Sequence, residues 1–242
     1  MAMSEVESLW HEPEAAYPDT APAALEFVDV FKIYRSGPVE TVALRGLSFR
    51  VEPGELIAVL GPSGCGKSTM LTLAAALDEP SAGEVRAGAG SLQRLDEAEL
   101  AAYRSRELAL VFQSENLWPA LTARENVAAA VSLAGHPDAG KAADAALDRF
   151  GLAERGAHRA GALSGGEQQR VAIAAAYARR ASLVLADEPT GELDSRNEAV
   201  VFDALAQLSA EGGSTVILVT HSARVAAAAG RVLEMRDGRL WA

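Results

Sequence analysis

Residues 55–77 read ELIAVLGPSGCGKSTMLTLAAAL. The opening run ELIAVL carries an unbroken apolar stretch, as expected of a short strand covered on both faces. A glycine-rich segment stops it, and the pattern beginning KSTMLTLAAAL is helical. Strand, tight loop and helix in that order form the first part of a β–α crossover, which belongs in an α/β domain with a largely parallel sheet.

From residue 25 onward, further runs rich in Val, Ile, Leu and Phe alternate with helical patterns. The strands they predict are LEFVDVFKIY (25–34), LSFRV (47–51), ELIAVLG (55–61), GEVRAG (83–88), LALVFQ (108–113), SLVLAD (182–187), STVILVT (214–220) and RVLEMRDG (231–238). Between 114 and 162 the pattern changes. LTARENVAAAVSLAG and DAGKAADAALDRFG are helical with no strand candidate between them, so a helical subdomain, about 114–180, is expected as an insertion in the α/β core. Residues 1–24 are acidic, proline-bearing and aperiodic, which reads as a flexible leader ahead of a domain spanning 25–242. Trp10 and Tyr17 within it are candidates either for docking or for a solvated tail.

Composition narrows the classes of function. The chain has 242 residues, 49% of them hydrophobic, and a formal net charge of -11. That balance argues against nucleic acid as a main partner and against adsorption to anionic lipid by charge alone. No apolar run approaches the roughly 18 to 20 residues that span a bilayer, and the basic-then-apolar layout of a signal peptide is not expected here. Cys65 is the single cysteine, which leaves no internal disulfide and no cysteine-based zinc site.

GPSGCGKST, residues 61–69, fits the pattern G-x-x-x-x-G-K-[ST] in the strand-loop-helix setting that gives the pattern meaning. Gly61, Gly64 and Gly66, with Pro62, Ser63 and Cys65 between them, let backbone N–H groups turn inward around phosphate oxygens. The helix N-terminus that follows, at Lys67, Ser68 and Thr69, adds partial positive charge. Lys67 supplies a point charge to the β and γ phosphates, and the Ser68 hydroxyl is a magnesium ligand. Cys65 is read as a small loop filler or as a redox-sensitive thiol beside helix-terminal amides.

The strand SLVLAD ends in Asp187, with Glu188 next to it, at the carboxyl end where ligands bind in open α/β sheets. Asp187 is placed to hold magnesium through water and Glu188 to orient or deprotonate an attacking water. A phosphate loop with such a pair points to a Mg-ATPase rather than a plain nucleotide binder. A second glycine-bearing helix start, LSGGEQQR, occupies residues 163–170. Ser164 and Glu167 have the spacing of a capping box, in which the hydroxyl accepts from the N–H of Glu167 and the carboxylate reaches back to the N–H of Ser164. Taken alone, that stretch is equally an ordinary helix start.

In this order, the motifs resemble the ATPase subunit of ABC transporters over residue 25 to the C-terminus. LSGGEQQ resembles the family's signature sequence, VFQSENL its Q-loop with Gln113, GELDS its D-loop with Asp194, and VTHS its switch segment with His221. The resemblance implies a P-loop NTPase (RecA-like) core with a mostly parallel sheet, an N-terminal antiparallel β subdomain and an inserted α-helical subdomain. It implies that Gln113 contacts magnesium and the attacking water, that His221 touches the γ-phosphate, and that Asp194 acts across a dimer interface. Ser164, Gly165 and Gly166 would face a nucleotide bound by a second subunit. Tyr34 occupies the place of the aromatic that stacks on adenine, with simple packing as its other reading. Leu117 and Trp118 are candidates for a groove receiving a membrane subunit, or for burial.

Within the family, ALDEPSAGEV, VFQSENLWPALTARENV and LADEPTGELDS are most similar to ATPases that work with FtsX-type membrane proteins, of the lipoprotein-releasing, macrolide-export and cell-division types. That likeness implies ATP and Mg2+ as cofactors, a second ATPase subunit and an FtsX-type permease as partners, and a peripheral position on the cytoplasmic face of the membrane. Glu192 stands where those relatives often have Asn, AIAAAYARR lacks an arginine common after the signature, and the leader has no counterpart. The runner-up is a soluble regulatory ABC ATPase not linked to transport.

Overall fold

A computed structural model describes residues 22–88 and 90–241. The expected leader, with Trp10 and Tyr17, therefore lies almost wholly outside the described residues. Two sheets form the framework. The N-terminal one is antiparallel, in the order β2-β1-β4-β5, from β1 (Leu25–Ser36), β2 (Val39–Val51), β4 (Ala82–Ala87) and the two-residue β5 (Gly90–Ser91). The larger has six strands in the order β10-β9-β3-β8-β7-β6. Here β3 (Leu56–Leu60), β6 (Leu108–Val111), β7 (Leu183–Asp187), β8 (Thr215–Thr220) and β9 (Arg231–Arg236) are parallel, and β10 (Arg239–Trp241) is antiparallel at the edge.

Period-two alternation explains how the central strands are buried on both faces. Along β7, Val184 and Ala186 join one core, while Leu183 and Leu185 join the other; along β8, Val216 and Leu218 face one way and Ile217 and Val219 the other. The first core packs under the helices α3 (Ala123–Leu133), α4 (Ala139–Arg149), α5 (Gly165–Ala178) and α6 (Ser195–Ala210), through Val127, Leu147, Val171 and Leu205. The second lies between the large sheet, α1 (Lys67–Ala74) and the antiparallel sheet, where Phe27 and Phe49 stack with centroids 4.8 Å apart. Each fully buried Leu, Ile or Phe contributes about 1.5 to 3 kcal/mol of burial free energy, which makes these two layers the main adhesive of the fold.

Among the described residues the chain between β6 and β7 holds α3, α4 and α5 and no strand, apart from an isolated bridge of Thr122 with Arg159. Three helices begin with a full capping box: α2 (Glu97–Arg106) at Asp96 and Glu99, α3 at Thr122 and Glu125, and α5 at Ser164 and Glu167.

The predicted strands are present with small changes of bounds, and β2 departs most. It begins at Val39 rather than at 47. Its first half is largely exposed and pairs with the outer half of β1, Tyr34 opposite Thr41, across irregular register steps. Cross-strand hydrogen bonding makes that ribbon, so no apolar face signals it. The strands β5 and β10 are too short to show a period.

Candidate nucleotide site

Parallel pairing places the carboxyl ends of β3, β8, β7 and β6 side by side, with Leu60 opposite Thr220, Val219 opposite Asp187 and Ala186 opposite Val111. Four segments leave from that one edge: the phosphate loop after β3, His221 after β8, Glu188 after β7 and Gln113 after β6. The sheet order, not sequence proximity, assembles them.

The phosphate loop is wedged against its neighbours. A Cβ on Gly61 would sit 2.3 Å from the Met235 carbonyl oxygen. Gly66, the N-cap of α1, takes φ +108, and a Cβ there would lie 2.6 Å from the Ala43 carbonyl oxygen. A side chain at either position would displace backbone, and the Gly66 conformation is one that L residues rarely adopt. Lys67 is buried, and its ammonium donates to the carbonyls of Gly61 (2.7 Å) and Pro62 (3.0 Å), holding the charge against the loop's first residues. Cys65 is buried beneath it and packs in the second core.

Ser68 and Asp187 line one small pocket at this edge. Burial raises the Asp187 carboxyl above the usual aspartate value and the neighbouring Glu188 adds to this, while the nearby Ser68 hydroxyl and Lys67 pull it down. Glu188 adopts a left-handed backbone, φ +47, with its amide bonded to Val219 O at 3.0 Å. Its carboxylate lies 2.8 Å from Nδ1 of His221 and also accepts from the His221 amide at 3.3 Å. A carboxylate only accepts, so Nδ1 carries the hydrogen and Nε2 remains for another partner. Gln113 donates through Nε2 to Glu192 at 3.4 Å and lies against Gly191, so the Glu192 departure noted in the sequence touches Gln113 itself.

The signature stretch meets the segment after Glu188. A Cβ on Gly165 would sit 3.3 Å from Leu193, and one on Gly166 3.0 Å from the Asn197 side chain. Ser164 and Glu167 form the expected capping box, with Ser164 N donating to Glu167 at 2.9 Å. Arg155 adds an ion pair to Glu167 at 2.7 Å, and that hydrogen bond, with those from Ser164, holds the carboxyl at about 2. Asp194 caps α6, accepting from the amides of Arg196 and Asn197, and also orients the Asn197 side chain at 3.0 Å.

Tyr34, two-fifths exposed, donates to Asp78 at 3.2 Å, and Lys32 lies over its ring at 5.0 Å while also bonding Asp78 at 2.6 Å. One ring face is thus taken. Trp118 is exposed and Leu117 half-buried, and both line a groove with Asn116, Asn126, Leu133 and Arg179. Sequence patterns did not single out Gln169, Asn116, Asn197 or Arg155. Each acts through contacts of tertiary structure with no local spacing to mark it.

The sheet order and the group at its edge define a nucleotide-binding cassette of the P-loop class. The chain belongs to the ABC transporter family, whose model matches residues 44–191. It is 43% identical over 218 residues to a lipoprotein-releasing system ATP-binding protein, LolD, of Geobacter metallireducens, covering 89% of this chain and 97% of that one. It is 42% identical over 230 residues to a macrolide export ATP-binding/permease protein, MacB, of Azoarcus sp., covering 94% of this chain but 35% of that protein; the chain thus spans about a third of the length of such relatives. Among solved structures it resembles the ATP-binding cassette MJ0796 in a dimeric, post-hydrolysis state bound to ADP and Pi, with TM-score 0.81, 36% identity and coverage of 90% and 97%. Among the described residues no helix is long and apolar enough to cross a membrane.

Proposed function

We propose that the chain is the ATP-hydrolysing subunit of a membrane complex, working as a head-to-tail dimer and driving conformational change in an FtsX-type permease from the cytoplasmic face. The observation that carries this reading is the single sheet edge at which Lys67, Ser68, Asp187, Glu188, His221 and Gln113 gather, with a capped Ser-Gly-Gly helix start against the Leu193–Asn197 segment that follows Glu188. In this reading residues 25–242 are the ATPase domain, and 114–180 the helical subdomain that moves within it.

ATP on the loop 61–69 is held by inward amides and Lys67, with Tyr34 against adenine. The hydroxyl of Ser68, the carboxylate of Asp187 and the side-chain oxygen of Gln113 are hard oxygen donors on one edge, and the first two line the same small pocket. The set fits Mg2+, which these residues would hold and which would supply neutralisation of phosphate charge. Glu188 accepts a proton from water or orients it, with His221 fixing the carboxylate through Nδ1 and turning Nε2 toward the γ-phosphate. Ser164, Gly165 and Gly166 of the second subunit cover that phosphate, and Asp194 lies on the path between the two sites. Charge developing in the transition state meets prepositioned donors, which need no reorganisation.

The relatives named for lipoprotein release and macrolide export support a permease partner. The groove at Trp118 and Leu117 is the surface assigned to it. Gentle detergent extraction of the tagged chain tests this. Recovery of an integral membrane protein whose presence changes ATP turnover is the expected result; a chain that is recovered without one and turns over ATP unchanged by membranes would favour a soluble regulatory ATPase.

A further inference from the structure

Gln169 lies on α5, five residues after Ser164, and is only 4% exposed. It shares a helix face with Gly165 and Gly166, four and three residues earlier. Its side-chain amide donates to the carbonyls of Phe112 (2.9 Å) and Gln113 (2.6 Å), and its oxygen accepts from Asn116 Nδ2 at 3.1 Å. Asn116 closes the loop on itself, donating to Phe112 O at 2.8 Å and accepting from Phe112 N at 2.7 Å. Both hydrogens and the oxygen of the Gln169 amide are therefore used, all on one short segment. The β6–β7 ladder ends at Val111, and Glu115 beyond it takes φ +60. The backbone that carries Gln113 is thus set by side chains rather than by sheet pairing.

We propose that Gln169, with Asn116, is the positioning residue for Gln113. It fixes the carbonyl of Gln113 to the helix whose N-terminus carries the Ser-Gly-Gly stretch, so any displacement of that helix displaces the glutamine that addresses water and cation. The polar atoms of Gln169 are bonded to that segment, so its role runs through Gln113 rather than through the nucleotide. The inference rests on the reading of Gln113 as a functional residue given above.

The two rest on separable measurements. Gln169→Met keeps side-chain length and removes both donors. In the purified chain, kcat at saturating MgATP should fall about tenfold with KM for ATP changed by less than about twofold, and in a Gln113→Ala background the same substitution should cost nothing further. Amide exchange over residues 112–116 should quicken while β6 and α5 keep their protection. If Gln169→Met does not fold, Asn116→Ala, at a half-buried position, should give the same pattern. Wild-type kcat in the variant, or an undiminished extra loss on top of Gln113→Ala, overturns the proposal. Should Gln113→Ala by itself leave turnover unchanged, the reading of Gln113 is what fails, and the positioning role goes with it.

Discussion

Glu188 combines a charge with a backbone conformation that L residues seldom take. Left-handed, non-glycine positions carry a cost of order 1 to 3 kcal/mol, which here is held by the turn itself: the Glu188 amide bonds Val219 O and its carbonyl accepts from Gly191 N at 3.0 Å. Glu188→Gln keeps side-chain size and that turn while removing the acceptor charge. We expect unchanged ATP binding, at least a roughly hundredfold loss of turnover, and a nucleotide-bound dimer that persists on size exclusion. Turnover at the wild-type rate would remove the carboxylate from the mechanism. The pair Asp187 and Glu188 was legible because a strand end beside a phosphate loop constrains what two adjacent acids can do. The contact with His221, 33 residues on, arises only because β7 and β8 are neighbours.

At the scale of the element, α5 shows how a site is built from a helix start. Its capping box is local chemistry, visible as Ser and Glu three residues apart. The Arg155 ion pair that locks Glu167 is not visible, since Arg155 reaches the helix from a segment whose course depends on how α4 packs. The sign of its pH dependence follows from the direction of the shift. Glu167, ionised in the fold down to about 2, stabilises the folded chain fully above its ordinary value near 4.5 and loses that contribution as pH falls from there toward 2. Arg155→Ala should lower the thermal midpoint at pH 7, and the gap between variant and wild type should narrow as pH drops from 5 to 3. A gap that stays constant over that interval would separate the ion pair from helix stability.

On the scale of the whole molecule, the question is what the two glycines at the start of α5 face. Gly165 has an ordinary φ, and an added Cβ would meet only the far end of Leu193 at 3.3 Å, a contact a flexible side chain can relieve. Gly165→Asp should therefore leave far-UV circular dichroism, the melting transition and ATP binding by the monomer close to wild type. It should abolish ATP-driven dimer formation and turnover, because in the proposed head-to-tail dimer a carboxylate there would meet the partner's γ-phosphate. Surviving turnover would return the stretch to a plain helix start.

The sequence by itself determined the α/β alternation, the phosphate loop, the carboxylate pair and the capping box at Ser164 and Glu167, since each depends on residues within one strand, one turn or one helical turn of each other. Its periodicities were silent about the outer half of β2, made by cross-strand pairing without an apolar face. Only the tertiary structure decided that β6, β7, β8 and β3 lie adjacent and parallel, and with them Gln113, Glu188, His221 and Lys67. It also decided that Gln169 is buried against the Q-loop carbonyls rather than exposed on a polar helix face. Strand order and helix docking are set by burial of both sheet faces over the whole chain, a long-range balance that no short window of residues contains.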